Sequence, residues 1–229
     1  MGCTELPSVA YSSGTAPPRL VVPPNACDCH MHVFDDAQPV LTGGMPIPPG
    51  ASLAQYAGLQ RRLGTTRFVN VTPSIYGTDN HVLVQSLRDA WPHGRGVAVV
   101  NDLATEQNLE SLHAVGVRGT RFNLVQSGTT TVEMMDAVAR CVAPLSWHLQ
   151  VHARPAELLQ MEGLLMRLPV EVVLDHMACI GENRQLQPEI EQCLRRLLGS
   201  GRAWLKFSAP YFSARDEASH ERLSRSVEM

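Results

Sequence analysis

The residues with chemical potential begin at His30 and His32, in the stretch Cys27-Asp28-Cys29-His30-Met31-His32-Val33-Phe34. An extended strand turns successive side chains to opposite faces, so His30 and His32 share a face with Asp28, while Cys29, Met31 and Val33 take the other. Two imidazoles pointing one way suit a metal ion, which binds neutral ring nitrogens. They equally suit a pair of hydrogen-bond donors aimed at a developing oxyanion. A His-x-His on an amphipathic strand also occurs with no chemistry attached, so its meaning depends on what joins it. Further along stand Thr72-Pro73-Ser74, Arg121-Phe122-Asn123, His152, Asp175-His176, Lys206, Ser208 and Tyr211. Arg121 is the most telling of these, because a desolvated guanidinium is costly unless an anion meets it. It points to a carboxylate-bearing substrate. Alternation places Asn123 on the same face as Arg121, and Arg118 and Thr120 on the other. The segment from Ser74 to Asn80 offers hydroxyls and backbone N–H groups to the same anion, and serves equally as an ordinary helix cap.

The elements that must position these groups alternate regularly. Strands are expected over 27–34, 67–72, 96–100, 117–123, 147–152, 170–175 and 203–208. Between them fall helices capped at Ser52, begun at Thr78 or Asp79, capped at Thr105, running over 132–142, opened at Pro155 and running over 188–198. Repeated strand–helix units imply parallel strands with covering helices. A nucleotide-binding sheet would show a glycine-rich turn after its first strand. This chain has His-x-His and a proline-rich loop instead, which favours a TIM-type (β/α)8 barrel with its chemistry at the strand carboxyl ends. His30, His32, Arg121, His152 and His176 are all expected at such ends, lining one cavity. The other five histidines fall in helices, loops or a strand start.

Composition narrows the class. The 229 residues suffice for one α/β barrel, and 44% hydrophobic with 18% charged residues is ordinary for a globular protein. A net charge of −3 without a basic stripe gives no footprint for nucleic acid or an anionic membrane. The six cysteines show no C-x-x-C pair, so they read as reduced thiols, and no signal peptide or membrane-length apolar run is present. The expectation is a cytoplasmic protein. Residues 1–25 read as an irregular proline-rich arm, and 26–229 as an incomplete (β/α) barrel domain.

The ordered set C-D-C-H-M-H-V-F at 27–34, G-T-D-N at 77–80, R-F-N at 121–123, D-H-M at 175–177 and W-L-K-F-S at 204–208 resembles the amidohydrolase superfamily. Within it, the set resembles the branch of 2-pyrone-4,6-dicarboxylate hydrolase, D-galactarolactone isomerase and 4-sulfomuconolactone hydrolase. The resemblance implies a barrel hydrolase acting on a small carboxylated lactone. His30, His32 and His176 would polarise the scissile carbonyl, and Ser74, Arg121, Asn123, His152 and Tyr211 would bind the substrate. Two positions depart from the pattern: Gln126 and Ser127 stand where a further basic residue is expected, and His152 replaces a tyrosine. Metal-dependent relatives hold zinc with the H-x-H pair and a strand-five histidine. His30, His32 and His152 could therefore bind zinc or another divalent metal, whereas this branch implies no cofactor.

The sequence after Ser208 is polar and charged and lacks a β-branched run, so strand eight and its helix are expected to be missing, along with the aspartate that strand would carry. That expectation brings two alternatives to the lactone hydrolase: a catalytically impaired barrel or ligand-binding remnant, and a lactone isomerase or zinc-dependent amidohydrolase or decarboxylase. It also implies self-association through open barrel edges.

Overall fold

Strand and helix alternate along the chain as β1 (Cys27–Met31), α1 (Leu53–Leu63), β2 (Arg67–Val71), α2 (His81–Asp89), β3 (Gly94–Ala98), α3 (Glu106–Ala114), β4 (Val117–Asn123), α4 (Met135–Val142), β5 (His148–His152), α5 (Pro155–Arg167), β6 (Val172–Leu174), α6 (Gln187–Gly199) and β7 (Ala203–Leu205). The computed structural model describes residues 11–12, 16–41, 48–126 and 129–209. Its contacts divide the chain into two units, one of Met1–Val99 with Gln107–Arg118 and one of Val100–Glu106 with Gly119–Met229. The expected absence of strand eight, and Tyr211 with it, lie outside the described residues.

In the first unit β1, β2 and β3 pair in parallel. Ser52 caps α1 by accepting from the Gln55 N–H at 3.4 Å, and Gly64 ends the helix with a φ of 79° that an L-side chain would resist. Gly96 on β3 is tightly packed, since a Cβ there would lie 2.7 Å from the Leu87 Cδ1 methyl and force that side chain to move. The core holds Met31, Tyr56, Phe68, Ile75, Tyr76 and Val82.

In the second unit β4 to β7 pair in parallel. The helix α4 buries Met135, Val138, Ala139 and Val142, the one-face spacing of an amphipathic helix. The helices α5 and α6 are tied by Arg196 to Glu162 at 2.5 Å. Trp147, Leu149, Val151, Leu174 and Ile190 are buried to at least 99%.

Several strands end elsewhere than the sequence suggests. The first stops at Met31 rather than at residue 34: its register with β2 shifts between Asp28 and Met31, and the Phe34 N–H goes to the Ala51 carbonyl at 2.9 Å. The third runs over Gly94–Ala98, because beyond it the Asn80 side chain replaces a strand partner. Its Oδ1 accepts from the Val99 N–H and its Nδ2 donates to the Val99 carbonyl, each at 2.9 Å. The seventh stops at Leu205: the Lys206 N–H still reaches Leu174 O at 2.9 Å, but the Lys206 carbonyl accepts from Met177 of the turn after β6. Among the described residues no helix is long and apolar enough to cross a membrane.

Candidate active site

In the first unit the polar groups gather at the end of β1. Asp28 accepts from the His30 backbone N–H through Oδ1 and from the Tyr56 hydroxyl through Oδ2, both at 3.0 Å, which fixes the chain just before the histidine pair. Burial and the Asp28 charge push the Tyr56 hydroxyl pKa well up, so it remains a neutral donor. His32 lies one residue past β1, and its Nδ1 sits 2.7 Å from the Val71 carbonyl. A carbonyl only accepts, so Nδ1 carries the proton and the ring lone pair is on Nε2. The rings of His30 and His32 meet edge to face with centroids 5.0 Å apart, so the two imidazoles expected side by side are so placed. Ser74 opens a short 3-10 turn, Ser74–Tyr76, and is partly buried. The segment that follows is pinned by Asn80, which also accepts from the Thr72 hydroxyl at 2.8 Å.

In the second unit the strand ends carry a charged cluster. Asp175, directly after β6, is fully buried. It accepts through Oδ2 from Arg121 Nε at 3.0 Å and Gln150 Nε2 at 2.9 Å, while Lys206 Nζ stands 3.6 Å from Oδ1. Lys206 also donates to Gln150 Oε1 at 2.7 Å. The anion that Arg121 requires is thus supplied within the chain, by Asp175. Only Nε is committed: the two Nη nitrogens make no hydrogen bond among the described residues.

Beside this cluster the His152 and His176 rings meet edge to face with centroids 4.7 Å apart. His176 Nδ1 lies 2.9 Å from the Ser208 hydroxyl, and His152 Nε2 lies 3.6 Å from Cys179 Sγ. Burial first, and the Arg121 charge second, lower the His152 pKa to about 3, so this imidazole is neutral at ordinary pH. Burial raises the Cys179 thiol to about 12, which keeps it protonated.

These side chains are aimed by an unusual backbone. His176, Met177, Ala178 and Cys179 form a turn with φ between 51° and 53°, left-handed at four consecutive residues, none of them glycine. Each such residue costs about 1–2 kcal/mol. The turn is held by hydrogen bonds from Met177 N to Lys206 O and from Ala178 N to Asp175 O, both at 2.9 Å, and all four residues are buried. Such strain persists only where the surroundings over-determine it.

Asn123, expected to bind substrate, uses its Oδ1 to accept from the Val125 and Gln126 N–H groups at 3.2 and 3.4 Å, bracing the loop after β4. Lys206 and Ser208, singled out in the sequence at the end of the seventh strand, belong to the cluster, as do Gln150 and Cys179, which were not among the expected residues. Gln150 was accessible through its two-residue spacing from His152. Side chains of the types that ligate a divalent metal stand in both units, His30 and His32 in the first and His152, Asp175 and His176 in the second. The fit is partial, since His32 commits Nδ1 to the Val71 carbonyl and His152 has Nε2 against the Cys179 thiol, so each would have to ligate through its other ring nitrogen.

Comparison with known proteins gives a consistent picture. A family model described as Amidohydrolase matches residues 27–226. The chain is 34% identical over 165 residues to a 2-pyrone-4,6-dicarboxylate hydrolase of Comamonas testosteroni, covering 70% of this chain and 54% of that protein. It is 26% identical over 199 residues to a 4-sulfomuconolactone hydrolase of Rhizobium radiobacter, covering 85% of this chain and 67% of that one. The chain therefore spans about half the length of the first relative. A crystal structure from Agrobacterium tumefaciens matches with a TM-score of 0.84 at 25% identity, over 93% of this chain and 76% of its own. The chain has the α/β fold of the TIM-barrel amidohydrolases.

Proposed function

Because the chain belongs to the amidohydrolase family, we propose that it hydrolyses the ring ester of a small carboxylated lactone of pyrone, muconolactone or aldarolactone type. The observation that supports this reading is the pair of buried cationic side chains in the second unit's cluster. Two fixed cations, Arg121 and Lys206, face one carboxylate, Asp175, and the three side chains are 5%, 12% and 0% exposed. A guanidinium and an ammonium held in a buried setting are the groups that recognise a carboxylate. The uncommitted Nη edge of Arg121 offers the planar fork that suits a carboxylate. The relatives named above are hydrolases of cyclic esters that carry anionic groups.

In this reading Arg121 anchors the substrate carboxylate. A hydrogen bond between His176 Nδ1 and the Ser208 hydroxyl at 2.9 Å holds the His176 ring, which in this reading polarises the carbonyl oxygen as negative charge builds on it. His30 and His32, in the first unit, keep the carbonyl-polarising role that the family resemblance implies. Asp175 acts as counter-ion rather than base, since Oδ2 already accepts two hydrogen bonds and Oδ1 faces Lys206. Asp28 is likewise committed to Tyr56 and to the His30 backbone. We read the reaction as metal-free, because the cations beside Asp175 would repel a dication there.

The test is a pH-stat assay of the purified chain on a panel of carboxylated lactones, since ring opening to an acid releases one proton. The expected result is proton release that survives a chelator. Substrate loss without proton release would indicate the isomerase reading, and no turnover on any member would overturn both.

A further inference from the structure

The pair formed by Cys179 and His152 has a direction that the proposed reaction does not use. Cys179 sits at the end of the left-handed turn, is 2% exposed, and has its Sγ 3.6 Å from His152 Nε2, which is also 2% exposed. Its thiol is kept protonated by burial, and His152 is kept neutral by burial and by Arg121. Between a neutral thiol and a neutral imidazole the ring nitrogen is much the better acceptor, and sulfur accepts only weakly. The proton on which the contact depends is therefore on sulfur.

From this geometry we infer that Cys179 is a positioning residue: its S–H donates to His152 Nε2 and fixes the ring as the Nδ1–H tautomer, so that His152 can offer a neutral N–H donor to a substrate oxygen. This goes beyond the expectation that His152 merely lines the site, since it assigns the nitrogen that carries the proton and the group that decides it. It also gives the strained turn a purpose. The four left-handed residues carry His176 at one end and Cys179 at the other, so one distorted segment sets both histidines, the first directly and the second through sulfur. The role in binding rests on the lactone reading, whereas the tautomer does not.

The experiment is a long-range ¹H–¹⁵N correlation spectrum of the ¹⁵N-labelled full chain at neutral pH, in which ring-nitrogen shifts separate protonated from unprotonated nitrogens. The His152 signals are assigned by their loss in His152→Gln. The wild type should show one neutral form with the proton on Nδ1. Cys179→Ser, which keeps a donor of similar size, should retain it, and Cys179→Ala should move most of the population to Nε2–H. A wild-type proton on Nε2 would overturn the inference, as would a Cys179→Ala spectrum equal to wild type or a serine variant that behaves like alanine. Should the alanine variant fail to fold, the wild-type and serine spectra still decide. Absent lactone turnover by wild type would sink the functional reading and leave the tautomer assignment standing.

Discussion

The left-handed turn makes a prediction that runs against the usual cost of glycine. Ala178 is 2% exposed with φ at 53°, and Ala139, in the middle of α4, is fully buried with right-handed helical geometry. Replacing either by glycine removes a buried methyl, worth about 0.8 kcal/mol. It also adds about 0.5–1 kcal/mol of backbone entropy. At Ala139 nothing offsets these losses, so Ala139→Gly should cost about 1.3–1.8 kcal/mol. At Ala178 the substitution relieves the steric penalty of a Cβ in the left-handed region, about 1–2 kcal/mol. Ala178→Gly should then lie within about 0.8 kcal/mol of wild type. Urea unfolding followed by the fluorescence of the buried Trp147 measures both, with the comparison restricted to variants whose m-value is unchanged. If Ala178→Gly lost as much as Ala139→Gly, the turn would not be carrying the strain assigned to it.

Other perturbations read separate parts of the account. His152 has a folded pKa of about 3, well below the unfolded value of about 6.5, so the unfolded chain binds a proton that the folded chain refuses. Its contribution is fully present above pH 6.5 and is lost as pH falls toward 3, with a slope approaching about 1.4 kcal/mol per pH unit from this one group. His152→Gln should flatten the acid limb of a stability-against-pH curve; an unchanged slope would assign the titration elsewhere. A Cβ on Gly119 would lie 2.5 Å from the His148 ring, so Gly119→Ala should cost about 1–3 kcal/mol by denaturant titration, and a neutral result would mean that the ring swings away freely. Asp175→Asn leaves Arg121 and Lys206 without their buried counter-charge and should cost about 3–5 kcal/mol. A loss below about 1 kcal/mol would show that the cluster is better hydrated than its burial implies.

Much of the fold was legible because β-branched runs such as Val170 to Leu174 and the spacing of Met135, Val138, Ala139 and Val142 each carry their own period. Strand ends were less so, since they are decided by long-range partners. Asn80 closes the third strand through Val99, and Met177 takes the carbonyl of Lys206. In the site, Arg121 announced itself through the cost of burying a guanidinium, but no local signal showed that Asp175, 54 residues further on, would hold its Nε. The role of Cys179 had no local signal. His-Met-Ala-Cys contains no glycine to mark a left-handed turn, and the turn exists only because Asp175, Lys206 and a buried setting hold it.

The central claim is that Arg121 selects a carboxylated lactone for hydrolysis, and the most direct measurement compares kcat/KM for a carboxylated lactone and its neutral ester in wild type and Arg121→Lys, a variant that keeps the charge beside Asp175 but loses the fork. The account predicts that wild type prefers the acid and that the variant loses at least about tenfold on the acid, a loss of about 1.4 kcal/mol, with little change on the ester. Equal losses on acid and ester, or no preference in wild type, would contradict it.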